Sequence, residues 1–206
     1  MDETLNRVLE DVLAESRSRG FLGPGPLGPQ IRHAQGFASL PEGAPRAFLD
    51  LGSGGGVPGL VLAIEWCESS GVLLDAAERR TEFLREACEM LGLTGRIEVV
   101  CGRAEEVART ELRGRFDVVT ARSFGGPATT AECGAPFLAP EGLLVVSEPP
   151  AEAPARWPAD GLDSLGLEVA YAPTATRRYI ALRRAGPLDD RWPRRTGVPA
   201  KRPLWR

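Results

Sequence analysis

The chain has 206 residues, 43% hydrophobic and 26% charged, the balance of one soluble globular domain with a real core and too little length for two. Its net charge of −3 hides an asymmetry: from Arg183 onward eight Arg or Lys face two Asp, so a tail of +6 follows a body of −9, which points to a polyanionic partner or to a solvated tail. The acidic N-terminus has no apolar signal core, no run reaches membrane-spanning length, and four cysteines with a lone His33 make no metal-ligand spacing; we expect a cytoplasmic protein, no membrane, no metal and reduced core thiols.

Leu5, Val8, Leu9, Val12 and Leu13 recur at helical spacing and predict an opening amphipathic helix. GFLGPGPLGP breaks it, and QIRHAQGFASL reads as a second short helix before PEGAP. The pattern then alternates. Strand-like runs are RAFLDL, GVLLDA, RIEVV, FDVVTA, LLVVSE, LEVAYA and RYIALR, with helical patterns over Pro58–Glu65, Ala77–Leu91, Glu105–Leu112 and Pro127–Phe137. PPAEAPARWPADGLDSLG is proline-rich and poorly helical. Apolar strands alternating with helices predict an α/β, doubly wound, Rossmann-like fold: a seven-stranded, mostly parallel sheet with helices on both faces. A helical N-terminal extension is expected over 1–45, the α/β domain over 46–185 and a basic, proline-rich tail over 186–206.

The most informative stretch is LDLGSGGGVPGLVLA, Leu49 to Ala63. Gly54, Gly56 and Gly59 satisfy G-x-G-x-x-G, the dinucleotide pattern. Asp50, Gly52, Gly54 and Gly56 satisfy acid-x-G-x-G-x-G, a turn that receives S-adenosylmethionine. Charge separates the two readings. A pyrophosphate wants bare N–H groups and no nearby carboxylate, whereas a sulfonium and an amino group suit an acid at the end of the first strand. Asp50 stands there, unless it serves only as a turn or capping aspartate.

Asp75 ends the second strand, where a carboxylate accepts ribose hydroxyls in either cofactor class or caps the next helix. VVCGRAEEV follows the third strand and offers backbone amides and a side-chain acceptor to an adenine ring; its glutamates equally suit a helix first turn. Arg122 lies just past the fourth strand, where open α/β sheets place chemistry.

Taken together, FLDLGSGGGVPGLVLA, LLDAAERRTEFLREACEMLGL, GRAEEV and FDVVTARSF resemble the GidB/RsmG methyltransferases. Pro58-Gly59 behind the turn is a mark of that family, QIRHAQGFASLPEG is similar to its Arg-His-containing helix, and DRWPRRTGVPAKRPLW is similar to its basic ending. The resemblance covers about residues 30 to 204. It implies a class I methyltransferase that uses S-adenosylmethionine, releases S-adenosylhomocysteine and methylates guanine N7 in small-subunit ribosomal RNA. The implied partner is ribosomal RNA or the small ribosomal subunit, and the chain is expected to be a monomer.

The candidate cofactor site comprises Asp50, Gly52, Gly54, Gly56 and Asp75 from the turn pattern and the strand ends, and by that resemblance also Val57, Ala104, Glu105 and Arg122. Gly52 and Val57 line the cofactor, Ala104 and Glu105 hold the adenine side, and Arg122 reaches both cofactor and substrate pocket. Arg122 and Arg103 are the candidate catalytic residues, Arg103 matching a second basic position near the RNA. Guanine N7 carries a free lone pair and no proton, so the reaction needs approach geometry and charge placement rather than a general base. A chain with one histidine, no Asp/Asn-Pro-Pro-Tyr motif after strand four and no Pro-Cys pair suits that reaction.

The chain departs from the family in its Gly/Pro-broken N-terminal region, in RSFGGPATT, and at Glu148, where many members carry a lysine. An anion there is expected to weaken RNA binding. The alternative readings are a small-molecule methyltransferase or a cofactor-binding protein of the same fold without transfer activity. His33 reads as a capping or core-edge histidine or as an RNA contact, and Trp157, Trp192 and Trp205 as packing residues of the tail and its neighbours or as base-stacking groups.

Overall fold

The structure, a computed structural model, describes residues 3–149, 156–174 and 178–205. Helices α1 (Glu3–Ser18) and α2 (Leu27–Ala38) precede the alternation of strand and helix. Then follow β1 (Ala47–Leu51), α3 (Gly59–Glu65), β2 (Ser70–Asp75), α4 (Glu78–Met90), β3 (Ile97–Cys101), α5 (Ala104–Val107) and β4 (Phe116–Ala121). After these come α6 (Pro127–Gly134), β5 (Leu138–Ser147), α7 (Ala159–Asp163), β6 (Leu167–Tyr171), β7 (Tyr179–Arg184) and α8 (Val198–Lys201).

The seven strands form one sheet in the order β3-β2-β1-β4-β5-β7-β6. β7 alone runs against its neighbours, pairing antiparallel with both β5 and β6, while the other pairs are parallel. The order reverses between β1 and β4, so the crevice for a ligand opens at the carboxyl ends of those strands. The period-2 pleat divides the apolar side chains between two layers. Phe48, Leu73, Val118 and Val145 join the core on one face, whereas Leu49, Leu51, Val72, Leu74, Val119 and Leu144 join the core on the other.

α1 and α2 are part of the first layer. Leu9, Val12 and Leu13 from α1 and Ala34 and Phe37 from α2 are buried in the same core as α3 and α4. Gly36 permits the closest approach, because a Cβ there would lie 2.2 Å from the Tyr179 hydroxyl of β7.

Three elements differ from the pattern read in the sequence. The Glu105–Leu112 helix is a single turn, Ala104–Val107, because the Thr110 hydroxyl takes the Val107 carbonyl and tighter turns follow. β5 begins early, at Leu138, and skips register between the Phe116–Leu138 and Val118–Leu143 pairs, with Glu141 at a φ of 64°. The Pro127–Phe137 segment ends as a 3-10 turn, Ala135–Phe137. In PPAEAPARWPADGLDSLG, only α7 is helical among the described residues, 150–155 lying outside them. Of the cysteines, Cys88 and Cys133 are buried as expected, but Cys67 and Cys101 are exposed, so the expectation of four core thiols is corrected.

Candidate functional site

The turn between β1 and α3 is held by its own residues. Gly52, Gly54 and Gly56 take φ of +73°, +54° and +91°, which side chains rarely adopt. The N–H groups of Gly52 and Ser53 both donate to the Leu74 carbonyl of β2, at 2.8 and 2.9 Å. Gly54 N–H donates to Asp75 Oδ2 at 2.9 Å, which ties the turn to the end of β2. Gly59 N–H, at the start of α3, donates to Asp50 Oδ2 at 3.0 Å, and a Cβ at Gly59 would sit only 2.5 Å from that oxygen.

Asp50 is therefore placed behind the turn. It is 1% exposed, and its second oxygen accepts from Thr120 Oγ1 at 2.8 Å. Burial raises its pKa from 3.8 to about 6, while the bonds from Thr120, Ser53 and Gly59 and the charge of Arg122 pull the other way.

A residue that no sequence motif marks braces the turn from outside. Ser16, fully buried at the end of α1, donates its hydroxyl to the Gly55 carbonyl at 2.8 Å. A Cβ at Gly55 would meet that hydroxyl at 2.5 Å and the Phe21 carbonyl at 2.7 Å. No local motif marks such a contact, since its partners stand 39 residues apart.

Two cavities open along the carboxyl ends of the strands. The smaller, about 140 Å³, lies over β1, β2 and β3 and brings together Gly52, Asp75, Arg103, Ala104, Glu105 and Ala200. Asp75 Oδ1 accepts from Ala77 N–H at 2.9 Å, and Arg80 stands 3.6 Å from its other oxygen. Glu105 is buried and paired with Arg103 at 3.5 Å. Asp50, Gly54, Gly56 and Val57 line neither cavity; the first three belong to the turn and its support, and the Val57 side chain is buried in the core.

The larger cavity, about 450 Å³, faces β4 and β5 and is lined by Arg122, His33, Phe124, Glu148, Arg156 and Trp157 among others. Phe124 lines both cavities, with its ring against Gly52, where a Cβ would lie 2.7 Å away. Arg122 donates Nη2 to Gln30 Oε1 of α2 at 3.1 Å, while its buried Nη1 has no partner among the described residues. Burial lowers the Arg122 pKa against the pull of Asp50 and Tyr179.

His33 is a core-edge residue. Tyr179 donates its only hydroxyl proton to the His33 carbonyl, at 2.5 Å, so Nδ1, 3.1 Å from the same oxygen, carries the ring proton and donates it back. Burial first, then Arg122 and Arg178, lower the His33 pKa and favour the neutral ring.

Glu148 lines the larger cavity together with Arg122 but is not an isolated anion. Its Oε2 pairs with Arg156 Nη1 at 2.7 Å and its Oε1 accepts from Trp157 Nε1 at 3.2 Å. Trp157 thus has a packing and hydrogen-bonding role in the site wall.

The basic tail folds onto the domain. Glu132 of α6, 0% exposed, accepts from Arg194 through its backbone N–H and guanidinium, the shortest contact being 2.6 Å. Gly197 N–H donates to Glu105 Oε1 at 2.9 Å and Thr196 Oγ1 to Glu106 Oε1 at 2.9 Å, which brings Ala200 to the rim of the smaller cavity. Trp192 is buried, and Trp205 donates to the Arg156 carbonyl at 2.9 Å. Arg195, Lys201 and Arg202 remain exposed.

Among the described residues no His, Cys, Asp and Glu group of three is arranged to hold a metal ion, and no helix is long and apolar enough to cross a membrane.

Residues 33–148 match the family model GidB, rRNA small subunit methyltransferase G. A curated relative from Syntrophomonas wolfei, ribosomal RNA small subunit methyltransferase G, is 32% identical over 210 residues, covering 96% of this chain and 98% of its own. The protein of the same name from Rubrobacter xylanophilus is 37% identical over 167 residues, 75% of this chain and 64% of its own. Among solved structures, cofactor-bound Rv0187 from MTB has a TM-score of 0.63 at 18% identity, over 88% of this chain and 91% of that one. The O-methyltransferase from Bacillus cereus in complex with SAH has a TM-score of 0.56 at 15% identity, over 89% and 91%. Those structures establish the fold, the Rossmann-like class I methyltransferase sheet.

Proposed function

The chain belongs to the GidB family of rRNA small subunit methyltransferase G proteins, and from that premise we propose that it transfers a methyl group from S-adenosylmethionine to guanine N7 in small-subunit ribosomal RNA. The observation that carries the reading is Arg122: a half-buried guanidinium at the strand-order reversal that lines a cavity next to the glycine-rich turn, with one buried nitrogen unpartnered among the described residues.

The smaller cavity fits the nucleoside end of such a cofactor. Asp75 and Glu105 are acceptors for hydroxyls and an exocyclic amine, Gly52 exposes bare backbone, and Ala104 and Ala200 are small apolar walls. At about 140 Å³ the smaller cavity would hold the nucleoside end through these residues. When bound, the cofactor supplies an activated methyl group on a positively charged sulfur.

The chain's own residues then have three tasks. The turn fixes the approach line, since every N–H from Gly52 to Gly54 is already tied to β2. Asp50 provides a buried negative charge behind the turn, opposite in sign to the sulfonium. Arg122 holds the acceptor base. N7 has a lone pair and no proton to lose, so the S–C bond breaks as the C–N7 bond forms and the positive charge moves to the purine. No proton acceptor is required, which accords with a site whose one histidine is committed to Tyr179.

Incubation of small ribosomal subunits lacking this modification with radiolabelled S-adenosylmethionine tests the proposal. Label is expected in the RNA as 7-methylguanosine. A folded protein that binds S-adenosylhomocysteine but labels no RNA refutes it.

A further inference from the structure

The larger cavity contains a carboxylate that the chemistry of methyl transfer does not use. Glu148 is 10% exposed at its side chain and lines the cavity with Arg156 as its ion-pair partner. A carboxylate has about four lone-pair positions on its two oxygens. Arg156 occupies one on Oε2 and Trp157 one on Oε1, so among the described residues each oxygen keeps a free position, and the two partners hold the group in place. The segment is anchored further by the Glu148 N–H, which donates to the Arg178 carbonyl at 2.8 Å.

We infer that Glu148 reads the Watson–Crick edge of the acceptor base and makes the enzyme select guanine. The inference rests on the guanine-N7 reading above. For N7 to face the cofactor, O6 must lie beside it, and the edge carrying N1–H and the 2-amino group must face away, toward the far wall of the cavity. The cavity lining supplies groups of matching sign for both. Arg122 is a cationic donor suited to O6, its buried Nη1 having no partner among the described residues, and Glu148 is a paired acceptor suited to two adjacent N–H donors. Phe124, Pro127 and Trp157 give the same cavity apolar walls for a base, and about 450 Å³ is room for one.

Adenine in the same pose meets the wrong group twice. Its N1 is an acceptor facing a carboxylate, and its 6-amino group is a donor facing Arg122. Both leave buried polar groups unpaired, which is the strongest basis for rejecting a near-isostere. Glu148 acts on the rate as well as on the choice of base. Methylation leaves the purine positively charged, and a carboxylate on the N1–H edge favours that charge more in the transition state than in the ground state.

The test compares two acceptor RNAs and two proteins. Small-subunit RNA is joined around a synthetic segment carrying either guanosine or inosine at the methylated position; inosine keeps N7, O6 and N1–H and lacks the 2-amino group. The native protein is expected to methylate the guanosine RNA about 10- to 100-fold more efficiently, the discrimination of one good hydrogen-bonded base contact. Glu148→Gln is expected to shrink that ratio to within about 3-fold and to lower kcat on guanosine more than it raises KM. Thermal shift with S-adenosylhomocysteine checks that the variant is folded and binds cofactor. Equal use of both RNAs by the native protein, or an undiminished preference in Glu148→Gln, overturns the inference while leaving the N7 assignment intact. Methylation of neither RNA by cofactor-bound native protein overturns both.

Discussion

The two cavities at the ends of the strands are built in opposite ways. On the cofactor side the polar groups are closed on one another. Gly54 is held by Asp75, Gly59 by Asp50, Asp50 by Thr120 and Glu105 by Gly197 of the tail. On the side proposed for the acceptor the groups come from α2, from the ends of β4 and β5 and from residues near Trp157, and Arg122 has a nitrogen without a partner among the described residues. The first is a mould whose shape is complete before a ligand arrives. The second is an arrangement of charges that a ligand completes, which is where selectivity between substrates is expected to reside.

The largest effect that separates the two sides is expected from Arg122→Ala. Loss of one preorganised donor at a reacting centre costs about 10²- to 10³-fold in turnover. Methyl transfer to small subunits should fall by that amount, while S-adenosylhomocysteine affinity, measured by calorimetry, stays within about 3-fold. A comparable loss of both would show that the division between the cavities is wrong, because Arg122 would then belong to the mould.

Glu132→Ala tests the mould from its far edge. Glu132 is fully buried and holds Arg194 through three hydrogen bonds, so its removal leaves a cation without its partner. Breaking a buried pair costs about 3–5 kcal/mol, and the lower end applies because the Arg194 side chain is 28% exposed. Denaturant unfolding should register that loss, and limited proteolysis should cut within 191–202. Because Gly197 and Ala200 leave with the tail, cofactor affinity is expected to drop too. Unaltered cofactor binding in a variant with a protease-sensitive tail would detach the tail from the site.

How far these features can be read from the sequence follows the same division. The turn was legible because its parts are contiguous: one acid, four glycines and a proline state the local geometry within ten residues. Asp75 and Arg122 were legible because strand ends in a parallel sheet converge on one crevice. The helical pattern after β3 misled by a few residues, since periodicity does not register a threonine hydroxyl competing for a helix carbonyl. Ser16, Gln30, Glu132 and Arg156 were not legible as site residues. Ser16, Gln30 and Glu132 act through partners 39, 92 and 62 residues away, and Arg156 through Glu148 eight residues before it, pairings that no local motif marks. The charge of the tail was visible, but composition does not say which arginine is spent inside the molecule; Arg194 is, and Arg195, Lys201 and Arg202 are left for solvent or for RNA.

Asp50 gives the mould a pH signature of its own. Its folded pKa of about 6 exceeds the ordinary 3.8, so the folded state holds the proton more tightly. The associated stability is present in full below about pH 4 and is lost as the pH rises through 6. The ceiling on the change is about 3 kcal/mol for a shift of this size. The stability difference between the native protein and Asp50→Asn, taken from urea unfolding between pH 4 and 7, should therefore shrink as pH rises. In an Arg122→Ala background the decline should extend to higher pH, because Arg122 is one of the groups that pull the Asp50 value down. A difference that grows with pH would mean that Asp50 is stabilised as an anion, and that its partners outweigh its burial.

The smallest effect is expected from Ser16→Ala, and it is the most informative about how α1 and the turn cooperate. The substitution removes no charge and little volume, and leaves the Gly55 carbonyl without its hydroxyl donor. An unmade buried hydrogen bond of this kind costs about 1–2 kcal/mol, visible as a small drop in the unfolding midpoint. The turn's own bonds to Leu74, Asp75 and Asp50 do not involve α1, so the glycine conformations should persist in the variant. Cofactor affinity should then weaken by less than the stability does, at most a few-fold by calorimetry. If it weakens by 10-fold or more, the turn is not a complete mould. It would depend on α1 for its shape, and the cofactor side would share with the acceptor side the property of being assembled from distant parts.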